Sequence, residues 1–130
     1  MILDTSVLVA LLRGDESVKE KIRECEENRE PLRTTTVCAF ELYYGAYKSS
    51  RARENLKLVE ELLKSLELVN FDEKMARISG AVLAELRREG QMVDIRDLFI
   101  SAAAIALEDK IATKNIRHFG RIKKLEVELW

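Results

Sequence analysis

The stretch MILDTSVLVALLRG, Met1–Gly14, determines how the fold begins. Its first three residues are apolar and predict a short strand, which Asp4 closes. The hydroxyls of Thr5 and Ser6 offer N-caps for a helix that we expect over residues 7–13. A strand, a single acid and then a helix, in this order, form the first half of a βαβ unit.

The same alternation continues to the end of the chain. Apolar residues recur every three or four positions between short strand-like segments, which is typical of amphipathic helices. The most apolar helix, DLFISAAAIAL (residues 97–107), should be buried against the sheet, and Gly90 should end the helix before it. The alternation predicts an α/β fold of three layers, α/β/α, with a central parallel sheet of about five short strands. The four later strands are expected at residues 31–35, 66–71, 111–113 and 127–129.

Length and composition restrict the class of protein. A chain of 130 residues with 47% hydrophobic and 35% charged residues predicts one folded domain over residues 1–130. The net charge of −1 means that any basic surface for nucleic acid must be local. Cys25 and Cys38 lack metal-ligand spacing, and we expect both to be reduced. With no signal peptide and no membrane-length segment in view, we expect a cytoplasmic protein.

Three acids stand where a parallel sheet collects ligands, beyond the carboxyl ends of its strands. Asp4 ends the first strand, although it could equally be a turn or capping acid. Glu41 lies inside the apolar stretch TVCAFELYYGA, too deep in its helix to be a cap. Its alternative is a place on the one exposed face of that helix. Asp97 begins the apolar helix, where the helix dipole favours an acid and Asp94 could be the N-cap.

Together the three acids suggest a metal site. Clustered carboxylates repel one another unless a positive charge compensates them. A hard divalent cation with oxygen ligands is the natural partner, and the lack of a His/Cys ligand set disfavours zinc.

The densest basic segment is KIATKNIRHFGRIKK, residues 110–124. If it flanks the acids, Lys114, Arg117 and Arg121 are candidates for binding substrate phosphates. The alternative is a solvated surface that balances acids elsewhere. His118, the single histidine, is expected to pack or cap within this loop rather than to act as a base.

Four blocks of the sequence together resemble the PIN-domain nucleases, most closely the VapC-type toxins of toxin–antitoxin pairs. These blocks are ILDTSVLVALLRG, TTTVCAFELYYGA, GQMVDIRDLFISAAAIAL and IATKNIRHFGRI. They occur in the family's order and cover almost the whole chain. The resemblance therefore implies a PIN-like fold.

The resemblance assigns metal binding to Asp4, Glu41 and Asp97, by position in the blocks. Many relatives have a fourth acid where this chain has Asn115, which could contact the metal's water shell. Asp94 replaces a small or turn residue and is a further possible metal ligand; it could also add charge or cap the helix. The hydroxyl residues that would orient the acids are Thr5, Ser6 and Thr113.

The implied activity is endonucleolytic RNA cleavage by water, with one or two Mg²⁺ or Mn²⁺ ions lowering the pKa of that water. Family membership also implies a homodimer and a cognate antitoxin protein.

Two alternatives remain: a PIN nuclease of RNA processing, and a catalytically silent metal- or RNA-binding module. A receiver domain fits less well. It needs an acid after the third strand and a later lysine, whereas the acid singled out here, Glu41, lies within a helix. A dehalogenase-type phosphatase needs an acid where Ser6 stands.

Overall fold

The computed structural model describes residues Met1–Trp130 and contains a single five-stranded parallel sheet. The strands are β1 (Ile2–Leu3), β2 (Arg33–Thr35), β3 (Glu67–Val69), β4 (Ile111–Thr113) and β5 (Val127–Leu129). Their spatial order is β3-β2-β1-β4-β5, and every neighbouring pair is parallel. The predicted three-layer α/β/α architecture with five strands is therefore confirmed.

Six helices connect the strands. They are α1 (Thr5–Leu12), α2 (Glu16–Glu27), α3 (Thr36–Tyr47), α4 (Ala52–Lys64), α5 (Glu73–Arg88) and α6 (Ile95–Leu107), and a short 3₁₀ helix follows at Ile116–His118. Helix α3 packs on α1, α4 and α6, and α5 packs on α6. The longest helix has 16 residues, and none of the six combines the length and apolar character needed to cross a membrane.

The strands β4 and β5 have the predicted bounds, whereas β2 and β3 are shorter than predicted. Pro31 has no backbone N–H to give to a ladder, so it cannot begin the paired part of β2. At the other end, Thr35 pairs with Val69 and is also the N-cap of α3. No residue of β2 is left to pair with Asn70 or Phe71, and β3 stops at Val69.

The prediction that Thr5 and Ser6 cap α1 is wrong. Asp4 is the N-cap residue, and Thr5 already has helical geometry. The two hydroxyls are directed to other partners, described below. Gly90, by contrast, lies just after α5 with a φ of +68°, which confirms its place at the helix end.

The core lies around the two central strands. Ile2, Leu3, Ile111 and Ala112 are fully buried. Helix α6 contributes a run of small residues to this core, Ser101–Ala104, of which none is more than 2% exposed. The predicted burial of this helix is confirmed, and both cysteines are buried as well.

The topology creates one switch point. The chain moves outward from β1 to β2 and β3, then returns to place β4 on the other side of β1. Crossovers therefore leave the sheet in opposite directions at β1 and β4, and a crevice opens beyond their carboxyl ends. Asp4 follows β1, and Thr113 ends β4, so both lie at this crevice.

Candidate metal centre

Asp4 is a buried carboxylate held by hydroxyl groups. It is 6% exposed, and its side chain makes no capping hydrogen bond to α1. Its Oδ2 accepts hydrogen bonds from Thr113 Oγ1 at 2.8 Å and from Ser6 Oγ at 3.0 Å. Its Oδ1 accepts none. Helix capping does not account for the position of this acid, and Thr113 of β4 fixes the orientation of its carboxylate. Of the two interpretations of Asp4, a capping acid and a ligand at the site, the ligand is therefore the stronger.

Glu41 is the sixth residue of α3 and lies on a largely covered side of that helix. Its side chain is 23% exposed, so the alternative of a solvent-facing position is not supported. Thr5 Oγ1 donates to Oε1 at 2.9 Å, and the guanidinium of Arg96 lies 3.6 Å from Oε2. Burial raises the pKa of Glu41, and the charges of Asp4 and Asp94 raise it further, against the lowering effects of Thr5 and Arg96.

Asp97 lies in the first turn of α6 with its side chain 18% exposed. Burial raises its pKa to about 6, and the negative charges of Asp94, Asp4 and Glu41 add to that rise. Only His118 opposes it among these neighbours, with Nδ1 at 3.6 Å from Asp97 Oδ2. Glu41 and Asp97 line the same cavity, and Thr5, the neighbour of Asp4, donates to Glu41, so the three acids lie in one region of the structure.

A cavity of about 400 Å³ opens in front of this cluster. Glu41, Asp97 and Asp94 line it together with three arginines, Arg96, Arg117 and Arg121, and with Met92, Val93 and His118. Asp4, which is 6% exposed, is not part of its wall. No three His, Cys, Asp or Glu side chains are arranged as a ready-formed metal cage. Instead, Glu41 and Asp97 each face a basic side chain.

The candidate phosphate-binding residues divide into two groups. Arg117 and Arg121 line the cavity, and Arg117 makes no ion pair. Arg121 donates to the carbonyl of Met92 at 2.7 Å, outside the acid cluster. Lys114 lies elsewhere: its Nζ contacts Asp15 at 3.3 Å and the carbonyl of Trp130 at 3.4 Å.

The two further ligand candidates, Asn115 and Asp94, occupy different positions in the structure. Asn115 is exposed and does not line the cavity, although its backbone N–H donates to Thr113 Oγ1 at 3.0 Å. Asp94 is the N-cap of α6 and accepts from the N–H of Arg96 at 2.8 Å. It contributes negative charge to the site and also caps the helix, which the sequence had left as alternatives.

Sequence reasoning missed two residues of the site. The expectation for His118 was wrong: its side chain is 56% exposed and faces Asp97, so it neither packs nor caps. Arg96 was not among the candidate residues, yet its guanidinium reaches Glu41 from the neighbouring helix. The sequence did contain one signal for Arg96. It is a basic residue directly before a candidate ligand, in the first turn of a helix, where the helix dipole disfavours a positive charge.

The fold and the site together define a PIN-like α/β protein, with carboxylates at the switch point and arginines around the cavity. The chain belongs to the PIN-domain family, whose model matches residues 1–125. Within that family it is a VapC-type protein. It is 33% identical to the tRNA(fMet)-specific endonuclease VapC of Salmonella typhimurium, covering 98% of this chain and 96% of that one. It is 31% identical to ribonuclease VapC2 of Rickettsia felis, with the same coverage.

Solved structures agree with these sequence matches. VapBC2 of Rickettsia felis, bound to a promoter DNA fragment, superposes with a TM-score of 0.93 and 28% identity. It covers 99% of this chain and 97% of the matched chain. DNA-bound VapBC of Salmonella typhimurium gives a TM-score of 0.91 and 30% identity, covering 99% and 96% of the two chains.

Proposed function

We propose that this protein is a metal-dependent endoribonuclease that acts in the cytoplasm as the toxin of a toxin–antitoxin pair. The observation that carries the proposal is the convergence of Asp4, Glu41 and Asp97 at the switch point, beside a cavity lined by arginines. The VapC relatives, named as ribonucleases and an RNA-specific endonuclease, support RNA as the substrate.

The residues present suit Mg²⁺ or Mn²⁺. All three proposed ligands are carboxylates, and the single histidine and the two buried thiols form no soft ligand set with them. Burial, and after it the neighbouring negative charges, raise the pKa of Asp97, and a bound cation would favour its ionised form. When bound, such an ion would supply an activated water and stabilise charge on the phosphoryl oxygens.

The protein's own residues would prepare the site for that chemistry. Thr113 and Ser6 hold Oδ2 of Asp4, which leaves Oδ1 free, and Thr5 fixes Oε1 of Glu41. Holding ligands by a second set of hydrogen bonds reduces the ordering needed on binding. Arg117 would bind the phosphate backbone of the RNA, because its guanidinium lines the cavity without an ion-pair partner.

The direct test is RNA cleavage by purified protein with and without divalent cations. We expect single-site cuts in RNA with Mg²⁺ or Mn²⁺, and none after chelation with EDTA. Cleavage that persists in EDTA at the same rate would contradict metal dependence. A protein that binds RNA but never cleaves it under these conditions would instead be a silent binding module.

We further propose an antitoxin partner and a homodimer. The matched solved structures are VapBC complexes, which supports the antitoxin. For a second copy, α3 offers an exposed aromatic surface formed by Phe40, Tyr44 and Tyr47, between 57% and 68% exposed. Exposed apolar surface of this kind marks interaction sites.

The partners can be tested in two ways. Light scattering on the purified chain should give twice its 14.9 kDa mass. Expression alone should arrest growth, and co-expression with an adjacent small reading frame should relieve the arrest. Normal growth in both cases would favour a role in RNA processing.

A further inference from the structure

Arg96 is a positive charge inserted among the proposed metal ligands. It is the second residue of α6, where a cation opposes the helix dipole. Helix stability therefore does not explain its position. Its guanidinium is directed across the gap between two helices, to a carboxylate of α3, with Nη1 at 3.6 Å from Glu41 Oε2.

Asp94 fixes the direction of that side chain. Its Oδ1 accepts from Arg96 Nε at 3.2 Å and from the Arg96 backbone N–H at 2.8 Å. Its Oδ2 accepts from Nη2 at 3.3 Å. One acid thus caps the helix and holds the guanidinium, leaving Nη1 on the side of Glu41.

Both carboxylate oxygens of Glu41 are consequently in use. Thr5 donates to Oε1, and Arg96 faces Oε2. A cation that takes Oε2 must displace the guanidinium or share its oxygen against charge repulsion. The displacement is easy, because the Arg96 side chain is 49% exposed and exposed ion pairs are weak.

We propose that Arg96 is an internal counter-cation, a positioning residue that holds Glu41 in the metal-free site and competes with the metal ion for it. This inference rests on the proposed metal site. Arg96 neutralises part of the acid cluster until a divalent ion, with its larger charge, replaces it. The chain therefore has lower metal affinity than its three carboxylates alone would provide. Asp94 acts through Arg96, as the residue that holds the guanidinium, rather than as a ligand.

The test is calorimetric titration of the full chain with Mn²⁺, comparing the wild type with Arg96→Gln. Removing the competing charge should tighten Mn²⁺ binding roughly threefold to tenfold. Arg96→Lys keeps the charge and should remain within about twofold of the wild type. Arg88→Gln removes an exposed arginine of α5 and should change nothing.

A second readout separates competition from a merely structural role. In EDTA, Arg96→Gln should melt at a lower temperature than the wild type, because the acids lose their counter-cation. Added Mn²⁺ should then raise its melting temperature by more than it raises that of the wild type. If the glutamine variant does not fold, Arg96→Met keeps the aliphatic stem and provides the same comparison.

The outcomes are distinguishable. Equal or weaker Mn²⁺ affinity in Arg96→Gln, with wild-type binding intact, would overturn the role of Arg96 and leave the metal site standing. No saturable Mn²⁺ binding by the wild type would overturn both proposals.

Discussion

Asp97 occupies a position whose electrostatics oppose folding. Its pKa is raised to about 6, so at neutral pH the protein must keep a carboxylate ionised in a buried, negatively charged place. Such a group lowers stability, and an acid retained at that expense is usually one that function needs. Replacing it by the neutral isostere should therefore separate activity from stability.

We predict that Asp97→Asn abolishes metal-dependent RNA cleavage and, in EDTA, raises the free energy of unfolding by about 1 kcal/mol, after allowance for solvent screening. Cleavage assays and urea unfolding at pH 7 test the two parts. Asp4→Asn should abolish cleavage as well. Undiminished cleavage in either variant would contradict the proposed site, and a large loss of stability in Asp97→Asn would make Asp97 structural.

Glu41 provides a second test at the same scale. Glu41→Gln keeps the shape of the side chain and the bond from Thr5 but removes the charge. We expect Mn²⁺ affinity to fall about tenfold or more while the fold stays intact, because ligand charge sets affinity for hard cations. Calorimetry and circular dichroism measure these effects. Glu60→Gln, on the exposed side of α4, is the matched control and should bind normally.

Among the elements, α3 matters most, because it carries Glu41 to the site. Its N-cap, Thr35, is 2% exposed, and its hydroxyl accepts from the N–H of Cys38 at 3.1 Å. Thr35→Ala would leave that buried N–H without a partner and should lower the free energy of unfolding by about 1–2 kcal/mol. Thr35→Ser keeps the hydroxyl and should lose much less. Urea unfolding of the two variants checks the comparison, and equal losses would show that the methyl group matters instead.

The sequence predicted the bounds of an element best where hydrophobic periodicity or strand pairing allowed only one choice of bounds. The strands β4 and β5 have their predicted bounds. The β3 strand was predicted too long. Its end depends on where β2 ends and α3 begins, and the sequence of β3 alone does not contain that information. The start of α1 was misplaced for a related reason: Thr5 and Ser6 bond to acids brought near by folding rather than to their own helix.

The same distinction applies to the site. Asp4, Glu41 and Asp97 could be proposed from the sequence, because strand ends and a glutamate in an apolar helix are visible there. Arg96 and His118 could not, since their importance comes from a contact across 55 residues of chain in one case and 21 in the other. Lys114 looked as suitable as Arg117 in the sequence, but its contact with Asp15 appears only in the fold.

At the scale of the whole molecule, one acid joins distant parts of the sheet at the edge opposite the candidate site. Asp109, 13% exposed, lies just before β4. Its carboxylate contacts the Met1 ammonium at 2.8 Å and Arg33 Nη1 at 2.8 Å, and it accepts from the Lys110 N–H at 2.8 Å. Burial raises its pKa, but these hydrogen bonds outweigh burial, and the net shift is downward.

A lowered pKa fixes the sign of the pH dependence. The folded state favours the ionised Asp109, so its stabilisation is complete above the carboxyl's unfolded pKa, about 3.9, and is lost as pH falls through the lower folded value. We predict that Asp109→Asn costs about 2 kcal/mol at pH 7, because Arg33 loses a shielded partner. The difference in the free energy of unfolding from the wild type should shrink steadily below about pH 4.

Glu108→Gln, at the exposed neighbouring position, is the control and should lose little stability at any pH. Urea unfolding from pH 7 to pH 3 measures both variants, and a difference independent of pH would show that the asparagine disturbs packing rather than charge.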